Sequence, residues 1–160
     1  GKEFKDILLS VQAIDKSGNV ITIPRKDISF DYRKNNLSSD LIFLSASFKG
    51  KKSNSLKIKK EINMLKVKKN KNQPNKIKTS GSTFKNPINQ TKKKVWQLIE
   101  ESVSLDKSFG DACISKKHCN FFVNKGNASF KDMLQLINFV SEKVLEKTGI
   151  SLEKEIKILE

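Results

Sequence analysis

A chain of 160 residues with 32 Lys and Arg against 17 Asp and Glu carries a formal charge of +15, and 36% of its residues are hydrophobic. That length suffices for one core of ordinary size, with a further element that leans on something else. No stretch reaches the roughly 18 apolar residues of a membrane span and no signal-peptide pattern opens the chain, so a soluble protein with no membrane partner is expected. The first residue is Gly1 rather than methionine, and a cut or processed start is the expectation.

Cys113 and Cys119 form no even-numbered disulfide framework in this Lys-rich chain, which fits a reducing, cytoplasmic setting. Structural zinc usually takes four Cys or His ligands, and His118 is the only histidine that can supplement the pair, so no metal site is expected. The charge is localised. Between Lys49 and Lys94, 16 lysines face a single acid, Glu61, and the rest of the chain balances. Such a run suits nucleic acid or another anionic surface, or simply a solvated helix and loop.

In chain order, Ile7 to Ile14 is a β-type run, Asp15-Lys16-Ser17-Gly18-Asn19 a turn, and Val20-Ile21-Thr22-Ile23 a second strand, which together predict a hairpin. Tyr32 to Asn36 reads as a loop, and Leu41 to Phe48 as a third strand. Three strands make a thin unit, so they are expected to finish a larger sheet. From Ser53 to about Lys69 the period changes to helical, with Ser53 or Asn54 as cap and Ile58, Ile62 and Leu65 as one apolar stripe among lysines. Asn70 to Ser80, interrupted by Pro74, reads as a connector.

Val95, Trp96, Ile99 and Val103 then predict a short helix, with Trp96 in the core. Ala112 to Ile114 and Phe121 to Val123 read as short strands. Ser129, with Asp132 three residues on, caps a long helix whose stripe is Met133, Ile137, Val140 and Val144. Gly149 supplies its left-handed stop, and Glu155 to Leu159 alternates as a last strand. The second half is therefore α+β.

Four places can carry chemistry. Gly81 lets the backbone bend and approach a ligand, leaving the Ser82 hydroxyl exposed beside Lys85 and Asn86; turn chemistry alone reads the same residues as a Ser turn ended by Pro87. Arg33 is a permanent cation able to fork onto a carboxylate, or an exposed turn residue. Glu155 opens the terminal strand and is either inward or solvated. His118 and Cys119 lie between strand-like pieces, where such residues are usually structural. A Ser-His-Asp hydrolase is a poor alternative because the nucleophile-elbow pattern is missing, and no phosphate-binding glycine loop or dinucleotide fingerprint is present.

Read in order, Phe30-Asp31-Tyr32-Arg33, Gly81-Ser82-Thr83-Phe84-Lys85-Asn86-Pro87, Trp96-Gln97-Leu98-Ile99, Ser115 to Phe121, Val123 to Ala128 and the Gly149 to Ile158 segment resemble the C-terminal part of the UDP-N-acetylenolpyruvoylglucosamine reductase family. The resemblance covers most of the chain. It implies the end of a flavin-binding α+β domain in residues 1–50, a connecting basic helix and linker in 51–73, and a small α+β substrate-binding domain in 74–160. It implies Arg33, Ser82 and Glu155 as catalytic residues, and Tyr32, Lys85, Asn86 and His118 near the substrate. FAD and NADPH are the cofactors it implies, a UDP-sugar nucleotide the substrate, and a monomer the assembly. In that family NADPH reduces the flavin, hydride passes to the terminal carbon of the enolpyruvyl ether, and the product is UDP-N-acetylmuramate for peptidoglycan. The segment Ser108-Phe109-Gly110-Asp111 departs from a commonly glycine-rich pattern. Without the flavin-binding region the fragment is expected to bind flavin poorly and not to turn over alone. The rival readings are a basic nucleic-acid-binding module, for which Phe84 is the only aromatic available between Lys49 and Lys94 to stack bases, and an inactive fragment.

Overall fold

The computed structural model describes residues 3–159, and Gly1, on which the expected processed start rests, lies outside them. Helices and antiparallel sheets divide the chain into two compact units, Gly1–Ile58 and Lys59–Glu160. In the first, β1 (Leu8–Ile14) pairs with β2 (Val20–Pro24) across the Asp15–Asn19 turn. Asp15 closes that turn by accepting from the backbone amides of Ser17 and Asn19. The strand β5 (Ile42–Phe48) adds to the other edge of β1, giving the order β2-β1-β5.

The apolar centre of this unit is small: Leu8, Val11 and Ile28, flanked by Ile23, Phe30 and Leu37. All seven residues of β5 are exposed. Between β2 and β5 the segment expected as a loop forms a miniature hairpin, β3 (Phe30–Asp31) against β4 (Lys34–Asn35), which leaves Tyr32-Arg33 as its two-residue turn.

The helix α1 (Ser55–Asn72) follows. Asn54 caps it, its Oδ1 accepting from the Leu56 amide at 2.8 Å. The expected stripe has the right spacing, yet Ile58, Ile62 and Leu65 are all exposed and the helix has no buried residue. It also runs three residues beyond the expected end, because Lys and Asn at 69–72 sustain a helix that only the Pro74 region stops.

The second unit is a four-stranded antiparallel sheet in the order β6-β9-β8-β7, with β6 (Lys78–Ser82), β7 (Ser108–Phe109), β8 (Ala112–Ile114) and β9 (Phe121–Asn124). The helices α2 (Val95–Ser102) and α3 (Phe130–Thr148) complete its core. Leu136, Ile137, Val140 and Val144 of α3 meet Val95, Leu98 and Ile99 of α2, with Phe84 and Phe122 edge to face at 5.9 Å. Ser129 and Asp132 form the expected reciprocal cap, and Gly149 ends α3 at φ 72°.

Three expectations for this unit are corrected. Trp96 is 41% exposed, because Val95, Leu98 and Ile99 set the buried face of α2 and leave 96 beside it. The connector Asn70–Ser80 contains most of β6. Beyond Glu155 there is no regular strand: a single bridge, Phe84 to Lys154, is followed by a bend at Glu155 and Ile156. The ladder would continue by setting Ile156 against Ser82, but the Thr83 amide needed there is given to the Asn120 carbonyl and Ser82 is paired with Phe121 of β9.

Among the described residues no helix is long and apolar enough to cross a membrane. Core truncation and cap removal separate in magnitude. Leu136→Ala is expected to destabilise the second unit by about 2–5 kcal/mol, and Ser129→Ala by about 1 kcal/mol. Denaturant midpoints followed through the Trp96 fluorescence of the second unit check the order, and equal effects would contradict this core.

Candidate functional site

The Gly81 to Pro87 segment is built by a defect in a sheet. Thr79 faces Val123 and Ser82 faces Phe121, so two residues of β6 stand against the single Phe122 of β9. Gly81 absorbs this bulge at φ +89°, a backbone state that side chains with a Cβ rarely adopt. Thr79 pins the bulge from one side. Its Oγ1 donates to the Phe122 carbonyl at 2.7 Å and accepts from the Gly81 amide at 3.3 Å.

Past the bulge, β9 has ended and its place is taken by one side chain. The Thr83 amide donates to the Asn120 carbonyl at 2.8 Å. The Asn120 side chain then bonds Phe84 twice: Oδ1 accepts from the Phe84 amide at 3.0 Å, and Nδ2 donates to the Phe84 carbonyl at 2.9 Å. Asn120 is 3% exposed and Phe84 1%. On the opposite edge the Glu155 amide donates to the Thr83 carbonyl and the Lys85 amide to the Glu153 carbonyl, both at 2.8 Å.

This framework places the expected residues. Ser82 and Glu155, 73 positions apart in sequence, are brought onto neighbouring backbone segments, and both are half-buried. Lys85 is tied to Glu153 at 2.5 Å, the lysine side chain 21% and the glutamate 71% exposed. Asn86 accepts the Val95 amide at 3.0 Å through Oδ1, which anchors the motif to the first turn of α2. Thr83 is buried, and its hydroxyl has no hydrogen-bond partner among the described residues.

His118 occupies the turn that carries Asn120. Its ring lies edge-on to Phe121 at 4.9 Å, and Nδ1 accepts from the Asn120 amide at 3.3 Å. Burial lowers its pKa below the usual 6.5, so it is neutral at neutral pH. The neighbouring Cys119 thiol donates to the Trp96 carbonyl at 3.1 Å, and burial, with Glu100, pushes it up to about 11. A thiol held there is no nucleophile. Cys113 and Cys119 are both free and buried, and no group of three or more His, Cys, Asp or Glu suited to a metal ion occurs among the described residues.

Tyr32 and Arg33 belong to the first unit, at the tip of the β3–β4 hairpin. Arg33 sits in the left-handed region at φ 59°, with its guanidinium 5.1 Å from the centre of the Tyr32 ring. A non-glycine residue held there is a local strain, of the kind found where a chain must present a side chain in one direction. The residue that sequence reading missed is Asn120. Its signal was available: a single amide inside the apolar run Cys119-Asn120-Phe121-Phe122-Val123 has to satisfy its polar atoms internally.

Fold and site together define an α+β protein that hangs its polar groups from one bulged segment. Residues 73–159 match the family described as UDP-N-acetylenolpyruvoylglucosamine reductase, C-terminal domain. The UDP-N-acetylenolpyruvoylglucosamine reductase of Pelagibacter ubique is 68% identical over 158 residues, which is 99% of this chain and 52% of that protein. That of Rickettsia bellii is 47% identical over 98% of this chain and 51% of its own length. The crystal structure of the Thermus caldophilus reductase superimposes with a TM-score of 0.77 at 30% identity, covering 98% of this chain and 56% of that one. The chain belongs to the UDP-N-acetylenolpyruvoylglucosamine reductase family, and it spans about half the length of the curated relatives it matches.

Two outcomes follow from the bulge and its supporting turn. Gly81→Ala meets no atom within 4 Å, so any loss comes from the backbone; a destabilisation of about 1–2 kcal/mol is expected. A neutral effect on the melting temperature would contradict the left-handed assignment. Because folding lowers the His118 pKa, the unfolded chain binds the proton first, and stability is lost as pH falls below about 6.5 towards the folded value. His118→Gln should flatten that acid limb in pH-dependent denaturation, and an unchanged limb would count against a folded-state shift.

Proposed function

We propose that the protein containing this chain reduces the enolpyruvyl group of UDP-N-acetylglucosamine enolpyruvate to the lactyl ether of UDP-N-acetylmuramate, an oxidoreductase step of peptidoglycan synthesis in the cytoplasm. NADPH is the electron source and FAD the carrier in this reading. The observation that carries it is the pairing of the Ser82 and Glu155 segments through the Glu155 amide and the Thr83 carbonyl, in a chain of this family. The exposure of all of β5 supports reading the first unit as the end of a flavin-binding domain.

The chemistry of the donor set suits a bound flavin. No amino-acid side chain supplies hydride, whereas the residues present supply what hydride addition to this double bond requires: charge stabilisation and a proton. A reduced flavin, when bound, supplies the hydride to the terminal carbon. Charge then develops towards the substrate carboxylate. In this reading Arg33, a permanent cation, and Glu155 stabilise the enol-like intermediate. Ser82 gives its hydroxyl proton to the carbon that bears the carboxylate, completing addition of one hydride and one proton across the double bond. Lys85, on the same segment as Ser82, offers a cation suited to the diphosphate, and Tyr32 and Asn86 complete the substrate contacts in this reading.

In the intact protein, Ser82→Ala is expected to slow reoxidation of the reduced flavin by the enolpyruvyl substrate about 10²- to 10⁴-fold, the usual worth of a positioned acid. Flavin reduction by NADPH should survive. Rapid-mixing spectroscopy resolves the two half-reactions, and equal loss in both would sink the assignment of Ser82.

A further inference from the structure

We infer that Asn120 is the positioning residue of this site: its side-chain amide replaces the missing strand neighbour of Phe84 and so fixes the segment that presents Ser82 on one side and Lys85 on the other. The inference rests on the function proposed above. Where β9 stops, the N–H and C=O of Phe84 face away from Lys154, its bridge partner, and both would be buried without a partner. One carboxamide satisfies them, since it alone among uncharged side chains offers a donor and an acceptor in the spacing of a peptide group. The bonds of 3.0 and 2.9 Å are those of a strand ladder.

The Asn120 backbone also takes part. Its carbonyl accepts from Thr83, and its amide donates to His118 Nδ1, so the turn Ser115–Phe121 and the motif segment are one hydrogen-bonded body. The Phe121 amide donates to the His118 carbonyl at 2.9 Å and the Ser115 amide to the Phe121 carbonyl at 2.9 Å, which holds that turn from within. Ser82 is two residues from the clamped Phe84 and is placed between this clamp and the Gly81 bulge. A slip of the clamp moves Ser82 without removing any atom that touches substrate.

The conservative substitution Asn120→Asp separates this role from a purely structural one. An ionised carboxylate accepts from the Phe84 amide but repels the Phe84 carbonyl, whereas a protonated carboxyl donates to that carbonyl and restores both bonds. Burial favours the protonated form, so recovery falls above the ordinary carboxylic range. In the intact protein at pH 8, N120D is expected to slow substrate reduction about 10²-fold, the scale of a small misplacement of a reacting group. The deficit relative to the unsubstituted protein should narrow as pH is lowered to 6, and flavin reduction by NADPH should stay within about twofold of normal at both values.

A folded N120D with unaltered substrate reduction, or with a deficit independent of pH, overturns the inference. If N120D does not fold, Asn120→Gln keeps the amide but is one methylene too long; it should slow substrate reduction with no dependence on pH, and normal rates overturn the inference. If the unsubstituted protein does not pass electrons to the enolpyruvyl substrate, the reductase reading fails, and hydrogen exchange at the Phe84 amide decides the clamp by itself. Slow exchange in the unsubstituted protein and fast exchange in N120D at pH 8 support it. Equal rates overturn it.

Discussion

A buried backbone segment has to find partners for its N–H and C=O groups, and in this protein that demand falls on Phe84, just where the neighbouring strand runs out. The Asn120 carboxamide meets it with two hydrogen bonds in a buried setting, at 3% and 1% exposure of the two residues. Neutral bonds of this kind add only about 0.5–1.5 kcal/mol each when made, while a buried group left unpaired costs about 1–3 kcal/mol. The asymmetry is what makes the arrangement specific. A slip in the register of the motif would carry Phe84 away from this amide, so the Asn120 side chain helps to fix the segment that carries Ser82 and Lys85.

The Gly81 bulge and the Asn120 clamp are complementary devices. An uninterrupted ladder would place Gly81, not Ser82, opposite Phe121; the extra residue shifts the register by one and carries the hydroxyl with it. Downstream, the clamp stops the shifted chain from relaxing back. Phe84 adds a third restraint, since its ring lies in the core against Phe122 and cannot turn outward without leaving a cavity.

Much of the architecture is legible in the sequence because it is local. The β1–β2 hairpin announces itself through Asp15–Asn19, α3 through Ser129, Asp132 and Gly149, and the core of the second unit through the helical spacing of Ile137, Val140 and Val144. What is not legible is set by partners distant along the chain. The strand β6 has the composition Lys-Thr-Ser-Gly-Ser, with no alternation and poor β propensity, and is a strand only because β9 pairs with it. Periodicity told which residues of α1 share a face but not whether anything covers that face. Ser82, Lys85 and Glu155 could be singled out from the sequence by their motif, whereas the clamp that holds Ser82 lies 38 positions away in Asn120 and exerts its effect through backbone atoms.

Charge and chemistry are also separated along this chain. The 16 lysines between Lys49 and Lys94 dominate the net charge, yet seven of them decorate α1, which buries nothing. Only Lys85 lies within the motif. Its 2.5 Å pair with Glu153 joins a mostly buried ammonium to a mostly exposed carboxylate, and solvent screening limits such a pair to about 0–1 kcal/mol. So weak a tether orients the lysine without locking it. The strong restraints in this site are therefore uncharged, namely a glycine in the left-handed region and an amide against a peptide group, and Lys85 stays able to exchange its carboxylate for another anion at little cost.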